Sequence, residues 1–351
     1  MLKNISSIYM IKKLLMLLPE RKKLELIKYN KNLQLNLKVN LIDFRRFSCR
    51  YIKIDKKDGK VKEYNSFNDI LLYEGEYLNG KRNGQGKEYN IIGNIIFEGE
   101  YLNGKRWNGR GKEFNDKNEI TYIGGYINGK KGGKGTEYKN EFDKIQNSPI
   151  DRVIFEGEYL NGEKNGHGKE YSGGDLVFEG EFINGQRNGK GIEYYGNHKV
   201  FEGEYIDGQK CGNGEEYDTC GRLIFKGKYL FDHKKSGKKY INKCLEFDGE
   251  YLFDRKWTGE GYDGNGNKIY ELSNGTGNIR EYNENNKLIY EGEYYDGRRN
   301  GKGKEYNDKN DELLFEGEYL HGKRWNGQKY KCKNNELIID EEYINGEIIK
   351  K

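Results

Sequence analysis

The residues of this chain that could do chemistry are four histidines, five cysteines, closely spaced glutamates, recurring Gly-x-Gly pairs and paired basic residues. His167, His198, His233 and His321 are scattered, and no Ser-His-Asp set, metal-binding HExxH helix or cysteine nucleophile with a local partner surrounds them. Cys49, Cys211, Cys220, Cys244 and Cys332 are odd in number and lack zinc-ligand spacing. A secreted disulfide framework is therefore not expected, and a reducing, cytoplasmic setting is. Gly84–Gly86 and Gly301–Gly303 look like phosphate-binding loops, but they follow a turn and enter a strand. No helix N-terminus stands there to hold a phosphate. Glu74/Glu76, Glu98/Glu100 and Glu156/Glu158 could suggest calcium or acid–base work. Alternation puts them on one sheet face beside lysines such as Lys87 and Lys112, which describes a solvated charge ladder. The sequence predicts no enzyme, no cofactor and no metal.

The basic pairs are more informative. Lys81-Arg82, Lys105-Arg106, Lys130-Lys131, Arg298-Arg299 and Lys323-Arg324 recur at one place in a repeating unit. Stacked in register they would form a basic ridge, interrupted at Glu163, Gln186 and Gln209. Such a ridge suits an anionic membrane lipid, at about 1 kcal/mol per residue near the surface, or a protein partner. Trp107 and Trp325 follow two of the pairs, and Trp257 sits in a similar insertion. Tryptophan so placed is a candidate anchor, with turn packing as the competing account. A net charge of +5 on 62 basic and 57 acidic residues is too balanced for nucleic acid.

The element that must position these residues is a repeat. Residues 73–89 read YEGEYLNGKRNGQGKEY, and the pattern returns at 97, 122, 155, 178, 201, 225, 247, 290 and 315. Successive first aromatics up to Phe247 are 24, 25, 33, 23, 23, 24 and 22 residues apart, the long gap holding an insertion at 139–151. Blurred copies at 47–64 and 270–282 and a fragment at 339–346 bring the array to about a dozen units from 47 onwards. Only 34% of residues are hydrophobic and another 34% are charged, a composition that taken alone reads as disorder. Glycines and tyrosines in fixed register overturn that reading, because each repeat needs to bury only a little against its neighbours.

Local chemistry makes the unit a β-hairpin. Alternation sends Tyr73, Gly75 and Tyr77 to one face and Glu74 and Glu76 to the other. Both Asn79-Gly80 and Asn83-Gly84 accept positive φ and are expected to bend the chain back. The return strand ends at Tyr89, and Gly86 leaves room for a neighbouring hairpin's tyrosine to lie across it. A single-layer sheet leaves part of the aromatic face uncovered, a second candidate surface for protein contact or self-association. The expected fold is all-β, an elongated open antiparallel meander of about a dozen hairpins, roughly 110 Å long at the spacing of paired strands.

These residues resemble the MORN family (membrane occupation and recognition nexus), whose unit is similar to YEGEWxNGxxHGxGxY. Here Tyr or Phe replaces the Trp, and Asn usually replaces the His. The resemblance implies this fold and a binding role, phosphoinositide contact among the roles suggested for the family. It leaves three expectations open: a non-enzymatic scaffold for protein partners at a cortical or cytoskeletal site, a peripheral membrane binder, and an adaptor working through its head. That head, residues 1–46, lies outside the repeats. Apolar spacing at Ile8, Ile11, Leu14, Leu15 and Leu18, then PERKKLELIKYNKNL, predicts short helices that cap the open sheet edge or form a weakly F-box-like recruiter. No stretch is apolar or long enough to cross a bilayer, and a presequence is disfavoured because the first nineteen residues lack arginine.

Overall fold

The computed structural model describes residues 31–36, 50–55, 59–143, 148–283, 285–333 and 336–349, with four single positions before them. Apart from a six-residue helix, Lys31–Asn36, and two helical positions before it, Lys13 and Lys22, the described chain is strands and turns. The helix overlaps the end of the second expected head segment, and of the residues before it only Lys13, Leu17, Leu18 and Lys22 are described. Among the described residues no helix is long and apolar enough to cross a membrane.

The repeat works as a hairpin of two strands whose register is set by glycine and aromatics. β1 (Arg50–Ile54) and β2 (Val61–Asn65) form the blurred first hairpin, β3 (Leu71–Leu78) and β4 (Lys81–Tyr89) the first full one, β5 (Ile95–Leu102) and β6 (Lys105–Phe114) the next. Each pairs antiparallel with its neighbours in chain order. The later repeats continue this open meander. Asn79 and Gly80 sit at the tip with φ of 50° and 74°. Two successive positive values give the turn whose twist matches the strands, and Asn and Gly tolerate them best. The second Asn-Gly does not bend the chain, contrary to expectation. Gly84 forms a bulge within β4 with φ 76°, and a Cβ there would lie 2.1 Å from the Glu76 carboxylate.

Register places Tyr73 opposite Glu88, Glu74 opposite Lys87 and Gly75 opposite Gly86. Tyr73, Gly75, Gly86 and Glu88 therefore share a face. The ring over Gly86 belongs to its own hairpin and not to a neighbour, because a Cβ at Gly86 would lie 2.2 Å from the Tyr73 hydroxyl. The neighbour supplies the next ring: Tyr101 meets Tyr73 edge-on at 5.1 Å and 87°. Phe178–Tyr205, Phe201–Tyr229 and Tyr290–Tyr319 repeat that contact at 5.2–5.3 Å. Each such pair contributes about 0.5–1.5 kcal/mol beyond area burial.

Tips are also stitched to one another through the backbone. Gly104 N–H donates to Arg82 O at 2.8 Å, Gly208 to Arg187 O at 2.9 Å and Gly322 to Arg299 O at 2.9 Å. One isolated hairpin is marginal in water, so these links are what turn marginal units into a stable array.

The chain divides into two compact units, Met1–Asp151 with Tyr159–Gly162, and Arg152–Glu158 with Glu163–Lys351. The insertion at 139–151 lengthens two strands, Lys130–Asp143 and Ser148–Leu160, and Asn140 donates to Asp151 at 3.0 Å. Residues 270–282 do more than keep half a repeat: strands Lys268–Leu272 and Gly277–Tyr282 flank an Asn274-Gly275 tip. The fragment at 339–346 likewise has a short return strand, Glu347–Ile349.

Candidate functional site

The aromatic face is closed by the basic pairs, which the structure splits in two. Lys81, Lys105, Lys130, Arg298 and Lys323 are exposed at the tips. Their partners Arg82, Arg106, Lys131, Arg299 and Arg324 turn inward. The Arg82 side chain is only 15% exposed. Its guanidinium lies 4.4 Å from the centre of the Tyr73 ring and donates to Glu63 at 2.8 Å and to Glu88 at 2.9 Å. Arg106 covers Phe97 at 5.0 Å and Lys131 covers Tyr122 at 4.3 Å. Arg299 covers Tyr290 at 4.2 Å and Arg324 covers Phe315 at 5.0 Å. The unit's first aromatics are consequently buried, Tyr73 and Phe97 at 0% exposure. No uncovered aromatic stripe remains in the described repeats, which corrects the expected second surface.

Glutamates of the return strands join these cations into a chain. Glu88 takes Arg82 on one oxygen and Arg106 on the other. In the second unit Glu170 binds Lys164 and Arg187, Glu193 binds Arg187 and Lys210, and Glu305 binds Arg324. Burial alone would raise the Glu88 carboxyl, yet Arg106 and Arg82 hold it below the usual carboxylate range. Glu281 is held low in the same way by Arg299. Burial pushes the Tyr73 hydroxyl up to about 12, against the pull of Arg82.

This ladder was not read from the sequence, although a signal for it exists. A cation precedes a glutamate by six residues in Arg82/Glu88, Lys131/Glu137, Lys164/Glu170, Arg187/Glu193 and Arg299/Glu305. Six places in a bulged strand return to one face, and both residues flank the ring.

The remaining candidates fall as follows. Tyr77 is half-buried with its ring 5.8 Å from Tyr73. Tyr89 lies on the opposite, charged face and donates to Glu74 at 2.6 Å. There Lys87 meets Glu98 at 2.9 Å and Lys169 meets Glu179 at 3.2 Å, the solvated ladder expected of the paired glutamates. Trp107, Trp257 and Trp325 pack on the next tip. A Cβ at Gly129, Gly275 or Gly346 would lie 3.4, 2.7 or 3.1 Å from the respective indole. Turn packing therefore accounts for all three tryptophans. Among the described residues no group of His, Cys, Asp and Glu could hold a metal.

What reaches outward beside the first basic residue is aliphatic at most tips and an exposed tyrosine, Tyr295, beside Arg298. Leu78 pairs across the tip with Lys81, Leu102 with Lys105 and Ile127 with Lys130, and Leu78 is 58% exposed. Ladder, stitched tips and glycine-floored rings together define an all-β protein of β-hairpin repeats. The MORN-repeat family model matches six segments, 73–94, 122–141, 155–175, 178–200, 201–219 and 290–311. The chain is a MORN-repeat protein. Hairpins starting at Phe97, Phe225, Phe247 and Phe315 fall outside those segments and carry the same cation-over-ring contact. The comparison with curated proteins gave no match.

Proposed function

We propose that this protein is a non-enzymatic scaffold that acts in the cytoplasm and binds protein partners along its hairpin tips. The carrying observation is the tip row: Leu78, Leu102 and Ile127 are exposed beside exposed Lys81, Lys105 and Lys130, while the residues behind them are committed to the ladder. An apolar residue with a cation, repeated at hairpin spacing, suits a partner that engages several tips together, which multiplies weak contacts into useful affinity. The test is affinity purification with the full chain and with Leu78→Ser, Leu102→Ser, Ile127→Ser combined. A stoichiometric protein recovered by the first and lost by the second supports the reading. Recovery of no protein by either would end it.

A second reading, contact with anionic lipid, is favoured by the same exposed lysines. It makes a different forecast: sedimentation with phosphatidylserine vesicles falls steeply as salt rises, because exposed charges are screened within about 10 Å at 0.1 M. Protein contact through the aliphatic residues survives that change. Most of the weakly F-box-like head lies outside the described residues, and removal of residues 1–46 in the same purification tests it separately.

A further inference from the structure

Hairpin tips in this array carry Asn, Asp or His followed by Gly, except at two adjacent tips in the second unit. Phe231-Asp232 and Phe253-Asp254 stand there, with φ of 49° and 67° and of 47° and 63°. The aspartates have a structural reason. Elsewhere a side chain behind one tip accepts the backbone N–H of the next: Asn83 from Asn103 at 3.3 Å, Asn108 from Asn128 at 2.9 Å, Thr258 from Asn274 at 3.2 Å. Cys211 and Lys235 hold that place before the two exceptional tips. The link then runs backwards: Asp232 accepts from Lys210 N–H at 2.8 Å, and Asp254 from Lys234 N–H at 2.7 Å. Asp254 also holds His233 Nδ1 at 2.6 Å.

Among the ring contacts of the described residues Phe231 has none, and Phe253 meets the exposed His233 ring edge-on at 5.8 Å. The two phenylalanines are 59% and 67% exposed, and a bulky side chain at positive φ is strained where Asn would relax it. Leu230 and Leu252 beside them are exposed as well. The charge on the first of these hairpins is one-sided, while Phe253's own hairpin carries Glu246, Asp248, Glu250, Asp254 and Glu260 against Arg255 and Lys256. In hairpin 223–243 the usual FEGEY has become FKGKY, and seven lysines stand against one aspartate. Lys226, Lys234, Lys238 and Lys239 meet carboxylates. Lys228 and Lys235 are exposed and meet none among the described residues, and Lys235 holds the position that adjoins the next tip.

We propose that Phe231 and Phe253 anchor a docking site for an acidic protein segment bearing apolar side chains, with Lys228 and Lys235 supplying the opposing charge. Exposed aromatics are enriched in the cores of protein interfaces, and exposed cations at the rim steer and select an acidic partner. The anchors occupy two tips only, which suits a local peptide. A bilayer would meet neighbouring tips too, and Ile183-Asn184-Gly185 and Ile206-Asp207-Gly208 offer it no aromatic. The assignment rests on the scaffold reading and gives that scaffold one chosen partner class.

The experiment uses the full chain and the double variant Phe231→Asn, Phe253→Asn, which installs the residue other tips carry at that φ. Its thermal midpoint should equal or exceed that of the parent, so loss of fold is not the readout. A random twelve-residue peptide library is panned on the parent with counter-selection on the variant, and the best peptide is titrated by fluorescence anisotropy. Expected are peptides mixing Asp or Glu with Leu, Phe or Trp, whose affinity falls about tenfold or more on the double variant, as for a central anchor. Lys228→Gln with Lys235→Gln should weaken binding and flatten its salt dependence. Peptides that bind both chains equally, or that carry no acid, overturn the proposal. So does phenylalanine-dependent sedimentation with phosphatidylserine vesicles, which assigns the patch to lipid, or a phenylalanine-dependent dimer in sedimentation velocity, which assigns it to a second copy. Should a protein partner survive the double variant in the purification above, the scaffold stands and this site falls.

Discussion

Arg106 closes on Glu88 of the preceding hairpin, Nη2 to Oε2 at 2.7 Å, although eighteen residues separate them. The same carboxylate holds Arg82 of its own hairpin at 2.9 Å. One glutamate thus joins two repeats, and its removal leaves two part-buried guanidiniums facing each other.

Glu88→Gln should therefore destabilise the first unit by about 1.5–3 kcal/mol, the range for charge-assisted hydrogen bonds. Glu98→Gln, which loses an exposed pair with Lys87, should cost about 0.5 kcal/mol or less. Urea denaturation followed by circular dichroism compares them. Equal midpoints for both variants would remove the ladder from the account of stability.

The two halves of a basic pair should behave differently. Arg82→Ala uncovers the Tyr73 ring and leaves the buried Glu63 carboxylate only its longer pair with Arg50, at 3.6 Å. A loss of about 2–4 kcal/mol is expected, between a charged hydrogen bond and a broken buried pair. Lys81→Ala, one residue away at the exposed tip, should stay within about 0.5 kcal/mol. Thermal melts of the two single variants decide it, and a costly Lys81→Ala would contradict the split.

Much of this architecture was legible because its repeat obeys two periodicities at once. Alternation told Tyr73 from Glu74, and Asn79-Gly80 announced the tip, so hairpin fold and family followed from residues alone. The ladder did not follow. Reading Lys81-Arg82 as one basic unit treats adjacent strand residues as equivalent, yet adjacent residues face opposite ways. The bulge at Gly84, opposite Gly75 to Tyr77, then shifts the register on one strand, so that alternation cannot be carried through the tip by counting. The owner of the ring over Gly86 was likewise hidden, because a ring from the same hairpin and one from the next hairpin satisfy the same vacancy. For the tips, sequence identified the cations but passed over Leu78, Leu102 and Ile127, because an apolar side chain alone does not tell an exposed tip from a core.

Gly86→Ala should destabilise by about 1–3 kcal/mol, the cost of forcing a methyl into a filled site. Here the filled site is the Tyr73 hydroxyl and ring, 2.2–2.6 Å from the new Cβ. Gly93→Ala places the methyl where no atom lies within 4 Å, but at φ 86°. Its cost is backbone strain alone, about 1 kcal/mol. Near-ultraviolet circular dichroism separates the two causes: tyrosine bands should change in Gly86→Ala and stay constant in Gly93→Ala.

Acid should loosen the ladder in a defined direction. Glu88, Glu246 and Glu281 are each opposed by burial, which raises a carboxyl, and each is nevertheless held below its ordinary 4.5 by neighbouring cations. The folded chain consequently binds these protons more weakly than the unfolded chain does. Their contribution is fully present above about 4.5, where both states are ionised, and is lost as pH falls through the folded values. Stability from urea midpoints should thus be flat in this respect from neutral pH down to about 5 and decline below it. Glu88→Gln removes one titrating group, so the decline should be shallower for the variant than for the parent, with the two curves converging at low pH. Parallel curves would show that Glu88 titrates alike in both states and that Arg82 and Arg106 give its carboxylate no net preference for the fold.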